Sequence, residues 1–134
     1  MTGKLNKIAF LSALITALVF SACASTVVIP EDLSSEEIIQ RGQEAMDNNR
    51  YNAAMQYYQA LYERNRRSID LVITAEYHIA YIHYKQRNYT QARAGFNGVI
   101  EQYNIPDEEL LPQHFRRLSQ IVLQRIDEIE GVNR

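Results

Sequence analysis

From Ser34 onward, apolar and small positions recur three or four residues apart. Tyr51, Ala54, Tyr58 and Leu61 form one such series, and Tyr89, Ala92, Phe96 and Val99 form another. Phe115, Leu118, Val122, Ile126 and Ile129 form a third. That period places each series on one face of an α-helix. Ser34 followed by Glu37 has the spacing of a capping box, so the first helix should begin near Ser35. Only Pro106 and Pro112 interrupt the rest of the chain, and no strand-like alternation bounded by turn residues is present. The pattern predicts an all-α domain over residues 34–130.

The same pattern occurs twice. A shift of 38 residues carries Tyr51 onto Tyr89, Ala54 onto Ala92, Tyr58 onto Phe96, Leu61 onto Val99 and Gly42 onto Ala80. Each unit reads as a helical hairpin, over about 35–66 and about 69–104. The small residues should let paired helices approach closely, and the aromatic and aliphatic residues should fill the seam between hairpins. After Pro106, the acids Asp107, Glu108 and Glu109 suit a helix start, and Pro112 suits a first turn. A short turn and then a last helix over about 113–130 are expected. Its stripe would face the preceding hairpin, and its opposite face would meet water.

These residues carry a resemblance to the tetratricopeptide repeat, whose units alternate small and aromatic positions within about 34 residues. Asn49-Arg50-Tyr51-Asn52-Ala53-Ala54 and Arg87-Asn88-Tyr89-Thr90-Gln91-Ala92 match its turn and second-helix opening. The stretch from Ala75 to Ala92 is similar to repeats of the BamD family of outer-membrane assembly lipoproteins. The resemblance implies two such hairpins plus a capping helix, a short right-handed α-solenoid. In such a stack the first helix of each hairpin lines the concave face. That places Tyr81, Tyr84 and Lys85 there, with Gln43, Met46 and Asp47 of the first hairpin beside them. Tyr77 belongs either to that groove or to the core.

The N-terminal segment has a different character. Lys4 and Lys7 precede an uncharged run from Ile8 to Phe20, and Ser21-Ala22 stand before Cys23. A basic start, a short apolar stretch and small residues before a cut are the layout of a secretory signal. The run is shorter than the roughly 20 apolar residues a membrane span requires. Phe20-Ser21-Ala22-Cys23 resembles the bacterial lipobox, with Phe where the strict pattern has an aliphatic residue, as in the looser spirochaetal form. The resemblance implies cleavage after residue 22 and acylation of Cys23, the chain's lone cysteine. Ala24 after the cysteine implies the outer membrane by the proteobacterial sorting rule. Residues 23–33 would then be the acylated cysteine and a tether.

Composition narrows the function. The 134 residues carry 14 Lys+Arg against 16 Asp+Glu, and removal of residues 1–22 takes away two of the lysines. A mature chain at net −4 lacks the basic excess that a nucleic-acid binder uses to displace counterions. One cysteine makes neither an internal disulfide nor a thiolate metal site. His78 and His83 are five apart and diverge on a helix, and Gly95-Phe96-Asn97-Gly98 falls inside a helix whose amides are already bonded. Its glycines read as close-packing sites, and Arg64, Arg66 and Arg67 as complements to the dipole at a helix end.

No catalytic string, cofactor motif or metal-ligand spacing is present, so a non-enzymatic role is expected. Nine tyrosines supply contact area with a polar tip. The expected function is a lipid-anchored repeat scaffold at the bacterial cell envelope, binding a protein or peptide in its groove. The resemblance leaves two alternatives, an accessory of outer-membrane assembly and a lipoprotein working beside a transporter or solute-binding protein. Two hairpins and one helix are few for a repeat stack, which generally requires about three units, so either a partner or a second copy, in a homo-oligomer, is expected to complete it.

Overall fold

The computed structural model describes residues 26–131. Residues 1–25, and with them the signal segment and Cys23, lie outside the described residues. Among the described residues there are five α-helices and no strand: α1 (Ser35–Asp47), α2 (Tyr51–Arg64), α3 (Ile69–Lys85), α4 (Tyr89–Glu101) and α5 (Gln113–Glu130). None of them is long and apolar enough to cross a membrane. Each packs on its neighbours in the chain, and α3 also meets α5. The fold is a short helical repeat: two hairpins, α1/α2 and α3/α4, closed by α5.

Local chemistry sets the helix limits. The Glu37 amide donates to Ser34 Oγ at 3.2 Å, and the Ser34 amide donates to Glu37 Oε2 at 3.0 Å, closing the predicted capping box. Those bonds to the charged form hold the Glu37 carboxyl below its usual range. The two hairpin turns share one geometry. Asn49 and Arg87, which are 38 residues apart, both take left-handed φ, 56° and 61°. Asn49 donates to Met46 O and Arg50 to Ala45 O, while Arg87 donates to Tyr84 O and Asn88 to His83 O. Each pair of bonds is a Schellman closure, which satisfies carbonyls that a helix end leaves open. The repeat seen in side chains is thus a repeat of backbone hydrogen bonds.

Burial divides into two clusters joined through α3. Ile38, Ala45, Ala54, Tyr58 and Leu61 pack with Ala75 and Ile82, sealing the first hairpin onto the second. Tyr77, Ala80, Phe96, Val99 and Tyr103 pack with Phe115, Val122 and Ile126 of α5. A fully buried ring such as Phe96 contributes about 1.5–3 kcal/mol. Gly42 makes room for the Tyr58 ring, since a Cβ there would stand 2.8 Å from Tyr58 Cζ. At Gly95 a Cβ would stand 2.7 Å from Ala80 Cβ, so α3 and α4 touch at that point.

Four details differ from the sequence reading. Gly98 is not a close-packing site: a Cβ there would meet nothing within 4 Å. On α5 the buried face is Phe115, Ser119, Val122 and Ile126, whereas Leu118 and Ile129 are 38% and 49% exposed. Phe115, Ser119, Val122 and Ile126 still form one stripe, turned slightly about the helix so that the small Ser119 and not Leu118 faces inward. The expected short turn is there, as a 3-10 turn over Glu108–Leu110, but the acids Asp107 to Glu109 belong to it and not to the first turn of the helix, which begins at Gln113. Tyr103 donates to the Pro112 carbonyl at 2.8 Å and Arg116 pairs with Glu108 at 2.7 Å, which fixes this link.

The fourth difference is the segment read as tether. Val27, Ile29 and Leu33 pack against the first-hairpin core. Arg64 donates to the carbonyls of Pro30 at 2.9 Å and Ile29 at 3.0 Å, and the Val27 amide donates to Gln56 Oε1 at 2.9 Å. From residue 27 the chain is therefore a strap on α2, and Arg64 does more than complement the helix dipole.

Candidate functional site

The first helix of each hairpin and α5 converge on one side of the molecule. Between them lies a cleft of about 260 Å³, lined by Gln43, Met46 and Asp47 of α1, Tyr77, His78 and Tyr81 of α3, and Phe115 and Leu118 of α5, with Tyr58 at its floor. Larger hollows exist on the first hairpin, but charged and polar side chains line two of them, Glu37, Gln40, Arg41 and Glu44 in one and Glu63, Arg64, Arg66 and Arg67 in the largest, of about 480 Å³. A hollow of about 300 Å³ lined by Tyr62, Glu76, Ile79, Gly95 and Gly98 is apolar too, but it lies on the α2/α3/α4 side. The aromatic-floored cleft combines apolar walls with a few convergent polar groups on the side of the first helices, the usual make-up of a binding site.

Its floor is a stack of rings. Tyr58 lies parallel to His78 with centroids 4.4 Å apart, and Tyr77 packs on Phe115 at 4.8 Å and beside Tyr81 at 6.1 Å. Burial of His78, with His114 nearby, pulls its imidazole down to about 4, so it is neutral at pH 7. Tyr58 is fully buried, and its hydroxyl has no hydrogen-bond partner. Burial and, after it, the charge of Asp47 hold that phenol protonated far above its ordinary range. Burial, then the neighbouring Tyr81, pushes Tyr77 up to about 12. A buried hydroxyl without a partner costs about 1–3 kcal/mol, so this floor has something to gain from an occupant.

Of the five residues expected to meet a partner, Gln43, Asp47 and Tyr81 are brought together here. Tyr84 and Lys85 are not among the lining residues. Tyr84 stacks between Tyr81 and Tyr89 at 5.8 and 6.1 Å, and Lys85 is exposed at the end of α3. Tyr77 is both core and cleft wall, being 7% exposed while lining the cavity. Tyr58, Phe115 and Leu118 were assigned by sequence to seams and to a capping stripe. The signal that could have found the last two is that α5 occupies the place of a third first helix, on the face shared by α1 and α3.

The chain is 29% identical over 117 residues to a Treponema pallidum (strain Nichols) protein described as uncharacterized; the match covers 85% of this chain and 47% of the relative. The chain therefore spans about half the length of the curated relative it matches. No family model matches the chain, and no solved structure matches it.

Proposed function

We propose that this chain is a tetratricopeptide-type scaffold lipoprotein of the bacterial cell envelope, without enzymatic activity, which binds an extended protein or peptide segment in the α1/α3/α5 cleft. The observation that carries the reading is the convergence of Gln43, Asp47 and Tyr81 with Phe115 and Leu118 on one concave face. The 38-residue repeat in side chains and turn bonds supports the tetratricopeptide assignment. Acylation of Cys23 would hold the domain at a membrane, since each buried CH₂ of an acyl chain adds about 0.8 kcal/mol. The lipobox with Phe20 resembles the looser spirochaetal form, and a relative from Treponema agrees with that origin. A role as an accessory of outer-membrane assembly is a narrower second reading, favoured by the BamD-like stretch from Ala75 to Ala92.

Site-directed photocrosslinking in cells tests the scaffold. A benzophenone side chain at Tyr81 or Gln43 should capture a discrete partner, and one at Gln59, exposed on α2, should not. Capture from Gln59 alone would overturn the reading. In the same cells Cys23→Ser should move the protein from the membrane to the soluble fraction.

A further inference from the structure

We infer that the α1/α3/α5 cleft recognises a cationic side chain, arginine or lysine, presented by the bound segment. The inference rests on the scaffold reading and names the chemistry of its occupant. Among the lining residues there is one carboxylate, Asp47, and no lysine or arginine. Asp47 is exposed at the rim and makes no ion pair among the described residues. At the floor, the Tyr58 hydroxyl oxygen is buried without a partner. Both groups can accept hydrogen bonds, and a guanidinium or ammonium offers only donors.

The walls suit the rest of such a side chain. Met46 and Leu118 offer apolar surface to a methylene stem, and the rings of Tyr77 and Tyr81 lie nearly parallel, 10° apart. A cation is attracted to an aromatic face, more so where water is excluded. The volume holds roughly nine waters, enough for one long side chain but not for a helix. Because Asp47 sits at the rim, the ion pair would form there, where the desolvation cost of a buried pair is mostly avoided.

Other occupants fit less well. A carboxylate would meet Asp47 as a like charge, and neutral His78 beside it supplies no compensating positive charge. An uncharged apolar side chain would fill the volume but leave the Tyr58 hydroxyl unpaired and Asp47 to water alone.

The full mature chain, titrated by NMR with N-acetylarginine amide, N-acetylcitrulline amide and N-acetylglutamate amide, tests this. The arginine probe should shift the ring signals of Tyr58, Tyr81 and Phe115 and bind at least about tenfold tighter than citrulline, its neutral near-isostere, with the glutamate probe weakest. Asp47→Asn, at an exposed position, should keep the fold, cut arginine binding about tenfold and flatten its salt dependence. Tyr58→Phe should reduce it a few-fold. Equal binding of arginine and citrulline, or no effect of Asp47→Asn, would overturn the inference. If the Tyr81 cross-link persists in that case, the scaffold stands and only the cation fails. Arginine preference without any Tyr81 cross-link would sink the scaffold and leave the cation site.

Discussion

Two glycines three residues apart on α4 show how little local sequence says about a residue's role. Gly95 and Gly98 share a helix and a motif, yet only Gly95 faces another backbone. A methyl at Gly95 would approach Ala80 Cβ to 2.7 Å, so Gly95→Ala must push α3 and α4 apart. Overpacking of that kind costs about 1–3 kcal/mol. At Gly98 the same methyl meets nothing, and the helix gains the roughly 1 kcal/mol that separates alanine from glycine. Denaturant unfolding of the two variants should therefore move the midpoint in opposite directions, down for Gly95→Ala and up for Gly98→Ala. A shared sign would mean that the α3–α4 contact is not where the structure places it.

At the scale of elements, the hairpin turns were legible because their signals are local. Ser34 and Glu37 bond each other across one turn, and the 38-residue shift exposes both hairpins from their aromatic and small residues alone. The burial of α5 was less legible. Leu118 and Ser119 are adjacent, and the 3.6-residue period admits either as the inward position. The docking of α5 on its neighbours decides it, and that information is not local. Arg93 shows the same limit: its guanidinium reaches Asp127 and Glu130 of α5 at 2.6 Å each, a fork across more than 30 residues of chain. The cleft was half legible for a related reason. Residues of α1 and α3 follow from the repeat, whereas Phe115 and Leu118 enter only when α5 takes its place. The turns carry a prediction of their own. Arg87 holds a left-handed φ of 61° in a Schellman closure, where a side chain costs about 1 kcal/mol or more relative to glycine. Arg87→Gly should raise the unfolding free energy by about 0.5–1 kcal/mol without altering helix content by circular dichroism. A loss of stability would show that the Arg87 side chain contributes more than its backbone strain costs.

For the molecule as a whole, the strap bears on how the domain would be held if Cys23 carries the proposed lipid anchor. A free tether from Cys23 to Leu33 could extend about 35 Å, but a strap fixed from Val27 leaves only about 14 Å of chain to an acylated Cys23. Val27 lies beside Asn49, Arg50 and Gln86, so the chain leaves the domain at the edge where both hairpin turns lie. A lipid anchor would hold that edge near the bilayer and restrict how the cleft can turn. Among the described residues, the polar bonds from the strap to α2 are those of Arg64 to the carbonyls of Ile29 and Pro30, and of Val27 to Gln56. Each bond of this kind contributes about 1 kcal/mol net, enough to hold a segment but not to define the fold. Arg64→Ala should therefore speed amide exchange at Val27 and open residues 27–33 to proteolysis, while α1 to α5 keep their protection. Because the Val27 amide is bonded by Gln56 and not by Arg64, faster exchange there would show that the strap lifts as a unit. Unchanged exchange at Val27 would mean that the apolar contacts of Val27, Ile29 and Leu33, with the Gln56 bond, hold the strap without Arg64, which then sets only its direction.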